Sequence, residues 1–361
     1  MNLRFSATFI FILLIFFSCA EKKISIKNID GQLLKNLTTE ENTQYHIRKS
    51  LTIEKNITLT ISQGVKLTFC DTCKIICYGK IKAFGNKKNP ITVGNSFQKN
   101  TIIFKNSKSR SSFNNVSFIN ISLENNKTDI YIDSCSFKIE ADTKNKVKTN
   151  AIILSNKSFI SLKNSHFKGN NIIEGVGVNH GRCIIENNTF DLIPDAIELS
   201  NINDGTITKN IISHSQDDGI DLNNCTGINI SYNTVQFSKD KGLSIGNVKP
   251  QSLNSKTIHI FNNLLINNKI GVSIKGVSTV KIKNCILENN KIGVHYESKK
   301  TPSLSTLKNT YFINNNTDYK GSFHIETKDC YSDKDDKKTK KFSPINQDSL
   351  TVFRKSFLDI D

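Results

Sequence analysis

Between Asn187 and Gly246 apolar and polar residues alternate in short runs that return at a fixed step. Ala196-Ile-Glu-Leu-Ser200, Gly219-Ile-Asp-Leu-Asn223 and Gly242-Leu-Ser-Ile-Gly246 each put apolar side chains on one face. That is the period of a strand with one side buried. Gly271-Val-Ser-Ile-Lys275 and Gly293-Val-His-Tyr-Glu297 repeat the phrase further on. A second short strand precedes a recurrent Asn, as in Thr206–Thr208, Ile228–Ile230, Ile258–Ile260 and Lys281–Lys283. Asn187, Asn210 and Asn233 stand 23 residues apart, and Asp195, Asp218 and Lys241 follow at the same step. The register reaches back to Asn164 and forward to Asn262 and Asn284. A period in the twenties, with strands and no helical stripe or leucine-repeat spacing, predicts a solenoid.

Coils of about 22–25 residues with Asn at a recurring turn resemble the right-handed parallel β-helix, an all-β fold. In that family the Asn side chains stack as a ladder inside a bend. Short strands follow one another from Tyr45 to Val93, and Gly79-Lys-Ile-Lys-Ala-Phe-Gly85 resembles the stretch that opens many extracellular members. Phe118, Phe137 and Phe167 each come three residues after a polar turn residue, Asn115, Ser134 and Asn164. Loops of unequal length are expected around Lys144–Lys148 and at Asn247–Ser255, the latter bulging beside the acidic residues. The β-helix is expected over 44–326, with a linker and N-terminal cap at 19–43 and a charged loop and C-terminal cap at 327–361. Caps are needed because a solenoid otherwise ends in open strand edges.

Stacking turns the period into chemistry. Coils about 4.8 Å apart would place Asp195 over Asp218 over Lys241, Glu198 over Asp221 over Ser244, and Asp217 over Asp240. Six carboxylates and one amine then share a patch on three coils. Two carboxylates at such separations repel by about 1 kcal/mol in water and by several times that in a drier site. A bound cation or a retained proton relieves that repulsion. The plainer reading is a solvated polar face neutralised by Lys239 and Lys241. No Trp occurs in the chain and few aromatics flank these columns.

The remaining features concern location and partners. Met1 to Ser18 carries one Arg and an apolar run from Phe9 to Phe17, the shape of a signal peptide too short to span a membrane stably. Ser18-Cys19 resembles a lipoprotein cleavage site, which implies lipidation at Cys19 and a bacterial cell-envelope protein held at the outer membrane. Net charge is +17, partly a compositional excess of Lys, and a basic surface attracts polyanions. Acidic polysaccharide is the expected partner. Nucleic acid is not, for an exported chain without an aromatic-rich basic motif, and the chain is expected to act as a monomer. Cys70, Cys73 and Cys77 suggest a local disulfide, buried thiols or a metal clip, although a zinc site wants four ligands. Cys135, Cys183, Cys225, Cys285 and Cys330 are expected to be small buried side chains.

Asp195, then Asp217-Asp218-Gly-Ile-Asp221, then Lys241 one coil on, resemble the site of family 9 polysaccharide lyases, the calcium-dependent pectate lyases. The resemblance implies Ca²⁺ held by Asp195, Asp217, Asp218 and Asp221, with Glu198 and Asp240 as further candidate ligands. Hard oxygen donors suit that ion. It also implies β-elimination on a uronate, with Lys241 as the base. That role needs a depressed amine pKa, which a nearby cation favours and bare carboxylates oppose. A glycoside hydrolase of the polygalacturonase type also clusters Asp on a β-helix, but its Asn-Thr-Asp, Gly-His-Gly and Arg-x-Lys signatures are missing. The third reading is a non-catalytic surface β-helix for carbohydrate binding or adhesion, since fold alone does not decide function.

Overall fold

A computed structural model describes residues 26–95, 99–140, 151–246, 256–276, 279–297, 305–321, 325–334 and 342–358. Strands of three to six residues dominate, and up to the last coil each pairs in parallel with the strands three before and three after it. Three sheets of 15, 13 and 13 strands result, one strand from each per coil. This is the parallel β-helix that the periodicity predicts. The second sheet lays Glu174–Asn179, Ile197–Ser200, Ile220–Asn223, Lys241–Ile245, Ile270–Lys275 and Ile292–Glu297 side by side.

The inward positions fill one continuous core. Phe118, Phe137, Phe167 and Phe190 stack at centroid separations of 4.6, 4.5 and 4.7 Å. Ile212, Val235, Leu265, Leu287 and Phe312 continue the same column. Burying one such side chain is worth about 1.5–3 kcal/mol, and stacked ring pairs add about 1 kcal/mol. The six free cysteines among the described residues are all buried. Cys70 and Cys73 form a disulfide, while Cys77 stays a buried thiol.

Most coils turn into the first-sheet strand through a left-handed residue, at Asn115, Ser134, Asn164, Asn187, Lys209, Tyr232, Asn262, Asn284 and Asn309 among others. Asn tolerates that conformation better than most residues. The ladder inside the bend is built by the next position. Asn188, Asn210, Asn233 and Asn263 accept in turn, each side-chain oxygen 2.9–3.0 Å from the amide nitrogen one coil earlier. Of the Asn residues in the expected register only Asn210 and Asn233 belong to this ladder, and Asn164, Asn187, Asn262 and Asn284 sit one residue earlier, at the left-handed positions. Asn187 is exposed and donates to Asn164 in an outer row, whereas Asn188 belongs with Asn210. Coil length also varies more widely than expected. The step is 19 residues from Phe118 to Phe137 and 30 from Phe137 to Phe167.

The ends differ from the expected caps in detail. Ile26–Asn28, Gly31–Leu33 and Leu37–Thr38 already form a first coil inside the segment expected as a linker. At the other end a helix, Gln347–Leu358, sets Leu350 and Phe353 against Tyr311 and Tyr331. Arg354 bonds Glu288 at 2.7 Å. The signal peptide, Cys19 and the two expected loops at 144–148 and 247–255 lie outside the described residues.

Candidate functional site

The acidic residues sit where each coil bends from the first sheet into the second. Thr189–Asp191, Ile211–Ser213 and Thr234–Gln236 end the first-sheet strands. Left-handed Leu192, His214 and Phe237 then reverse the chain, with φ of 57°, 57° and 59°. The next few residues carry the carboxylates into the second sheet. Gly219 is required there, because a Cβ would come within 2.4 Å of Val235 and 2.7 Å of the Gly242 carbonyl. The Asp218 amide donates to Asp195 Oδ1 at 2.9 Å, and the Lys241 amide donates to Asp218 Oδ1 at 3.0 Å. Asp195, Asp218 and Lys241 thus stack as the 23-residue step predicts. The Asp240 amide likewise meets the Asp217 carbonyl at 3.1 Å, and Glu198, Asp221 and Ser244 are strand partners.

Carboxylate oxygens of Asp195, Asp217 and Asp218 all lie within 4.8 Å of one another. Asp221, the fourth expected ligand, stands outside that triad and accepts from Asn223 at 2.7 Å. Three serine hydroxyls at this level, Ser215, Ser238 and Ser244, are buried and have no partner among the described residues. Unsatisfied buried polar atoms are uncommon in native folds and point to a missing water or ion. Burial pushes the Asp195 carboxyl up to about 7; the Asp218 amide pulls it down, and the charges of Asp218 and Asp217 push it up. Burial likewise raises Asp218 to about 6, although Lys241 pulls it down.

Lys241 is itself buried, 3.4 Å from Asp218 and hydrogen-bonded to Asp240. Burial would lower its pKa, but the Asp240 hydrogen bond and the Asp218 charge outweigh that and hold it above the usual value. Asp240 also meets Lys269 at 3.0 Å. Burial works against its ionisation, yet both lysines hold its carboxyl below the ordinary range. Asp240 is thus committed to ion pairs on the lysine side, and Glu198 turns toward another acid.

That acid is Glu174, which sequence reasoning missed. Burial, the Glu198 charge and a hydrogen bond with Glu198 push it up to about 8. Its signal was legible, since Glu174-Gly-Val-Gly-Val opens a strand in the same sheet, but it lies outside the 23-residue step. Lys269 was missed because its coil is longer. A ring pair was missed too: His214 and Phe237, both left-handed turn residues, stack at 5.2 Å. They flank a bend where sequence offered few aromatics.

The likeness to known structures is one of fold. The periplasmic alginate epimerase AlgG aligns over 81% of this chain and 77% of its own, at 12% identity and a TM-score of 0.50. The A-module of the mannuronan C-5 epimerase AlgE4 of Azotobacter vinelandii aligns over 84% of this chain and 90% of its own, at 9% identity and a TM-score of 0.50. No curated protein matches the chain. A family profile described as "Periplasmic copper-binding protein (NosD)" matches residues 85–281, more than half of the length. The coils that carry the bend and its acids fall inside that range, and the chain belongs to the NosD family.

Proposed function

We propose that this protein is an exported, cell-envelope β-helix that binds acidic polysaccharide through a Ca²⁺ ion at the bend. The observation that carries the reading is the triad Asp195, Asp217 and Asp218, with carboxylate oxygens within 4.8 Å of one another. Such a set is costly when all three ionise, and a hard divalent cation removes that cost. Bound there, Ca²⁺ would offer its remaining charge to a uronate carboxylate. The basic surface, at +17 overall, favours approach of the same polyanion. The description of the family as periplasmic supports the location, and alginate epimerases share the fold.

Copper, which the family's description names, does not suit the triad itself. Copper favours imidazole, thiolate and thioether donors, and the triad is carboxylate throughout. The buried thiols of Cys77, Cys135, Cys183 and Cys285 are pushed up to about 12 by burial.

β-Elimination is the enzymatic form of the reading, with Lys241 taking the C5 proton. Asp240 and Asp218 favour its protonated form, so the base must first lose those contacts. Binding therefore stands ahead of turnover. The test is ultraviolet absorbance on a panel of polyuronates with and without Ca²⁺, alongside a binding measurement. Retention that Ca²⁺ strengthens, with that gain lost in Asp218→Asn, is expected. Unsaturated product that vanishes in a stable Lys241→Arg variant would establish the lyase, since Arg keeps the charge but cannot act as the base. Binding indifferent to both Ca²⁺ and Asp218→Asn would sink the proposal.

A further inference from the structure

A groove of about 490 Å³ crosses the outer face of the third sheet, several coils before the acidic bend and on a different side of the helix. Phe84, Tyr131 and Phe159 line it together with Asn114, Asp133 and Lys163. Phe84 is 51% exposed, a large apolar ring left to solvent. Tyr131 and Phe159 meet edge to face at 5.6 Å. The Arg110 guanidinium lies 5.4 Å over the Tyr131 ring and that of Arg182 lies 5.6 Å over Phe159.

Charge pairing decides what the groove lacks. Asp133 accepts from Asn114 at 3.0 Å and from Asn164 at 2.6 Å, and Lys163 pairs with Glu186 at 2.8 Å. The chain has five arginines, and two others among the described residues, Arg48 and Arg354, each pair with a carboxylate. Arg110 and Arg182 form no ion pair among the described residues. Each guanidinium lies over a ring with no carboxylate among the described residues to pair it, and such a planar group receives a carboxylate in a fork. Ser111, Ile130, Ile160 and Cys183 are successive strand partners. The two arginines just before the first and last of these therefore stand about 14 Å apart, three coils of about 4.8 Å.

We infer that this groove is a second glycan site, taking uronate carboxylates of an acidic polysaccharide on Arg110 and Arg182 and the apolar face of a sugar on Phe84. An extended polymer with carboxylates at intervals matches two separated forks. Single-stranded nucleic acid matches less well. Base stacking needs open ring faces, and guanidinium groups already cover those of Tyr131 and Phe159. The site is independent of the cation proposed at the bend.

Affinity electrophoresis of the full chain in EDTA tests this, with gels containing polygalacturonate, neutral dextran or single-stranded DNA. Polygalacturonate should retard the protein and dextran should not. Arg110→Ala with Arg182→Ala should weaken retention at least tenfold and Phe84→Ala several-fold, with melting temperatures unchanged because all three residues are exposed. The paired Lys substitutions keep the charge but lose the fork, and should restore retention only in part. Asp218→Asn should bind in EDTA as the wild type does, which separates this groove from the bend. Absent retardation, wild-type retention by the Ala pair, or stronger retention by DNA lost in the same variants would each overturn the inference.

Discussion

Asp218 accepts the Lys241 amide and receives its ammonium, yet burial and neighbouring acids keep its proton affinity high. Glu174, Asp195 and Asp218 stand at about 8, 7 and 6, above the roughly 4 expected of unfolded carboxyls. The native state therefore binds more protons than the unfolded state across that interval, and stability falls as pH rises through it. Asp240, held low, and Lys241, held high, contribute stability that is lost only outside the window, on its acid and alkaline sides respectively. In EDTA the melting temperature should fall between pH 5 and pH 8. Calcium should reverse that fall, with a larger shift at pH 8 than at pH 5. At 100 times Kd, one bound ion is worth about 2.7 kcal/mol. Asp218→Asn should lose most of the shift. Calorimetry over that range checks the sign, and a calcium shift independent of pH would contradict the ionisation scheme.

At the scale of the element, the bend ladder closes an account that neither strand can close alone. Asn210 accepts the Asn188 amide at 3.0 Å while its own nitrogen donates to the Ile185 carbonyl at 2.9 Å. Its amide in turn reaches Asn233. Asn210→Ala strands a buried donor and a buried acceptor, each worth about 1–3 kcal/mol, so a loss of about 3 kcal/mol in urea unfolding is expected. Asn187→Ala, one residue outside an equivalent turn, should cost far less, because Asn187 is exposed. The two positions look alike in the sequence as Asn187-Asn188. Only the strand pairing of Thr189 with Ile211 tells which one faces inward.

Over the whole molecule, the expected export and anchoring remain a separate matter from the folded coils. Cys19→Ala should release the protein from the membrane fraction, and unchanged fractionation would rule out the lipid anchor. Alternation at period two made the strands legible, and the 23-residue step made the solenoid legible, because parallel coils superimpose equal positions. The same arithmetic foresaw Asp195 beside Asp218 beside Lys241, since a column needs only the step. It did not reach Glu174 or Lys269, which meet the acids across coils whose lengths break the step. Nor did it reach the groove of the third sheet, where Arg110 and Tyr131 are brought together by coils of unequal length. Composition and period thus determined the fold and the central acidic column. Tertiary structure alone decided which carboxylates crowd together, which way Lys241 turns and which arginines stay unpaired, because each depends on distances between coils and on burial.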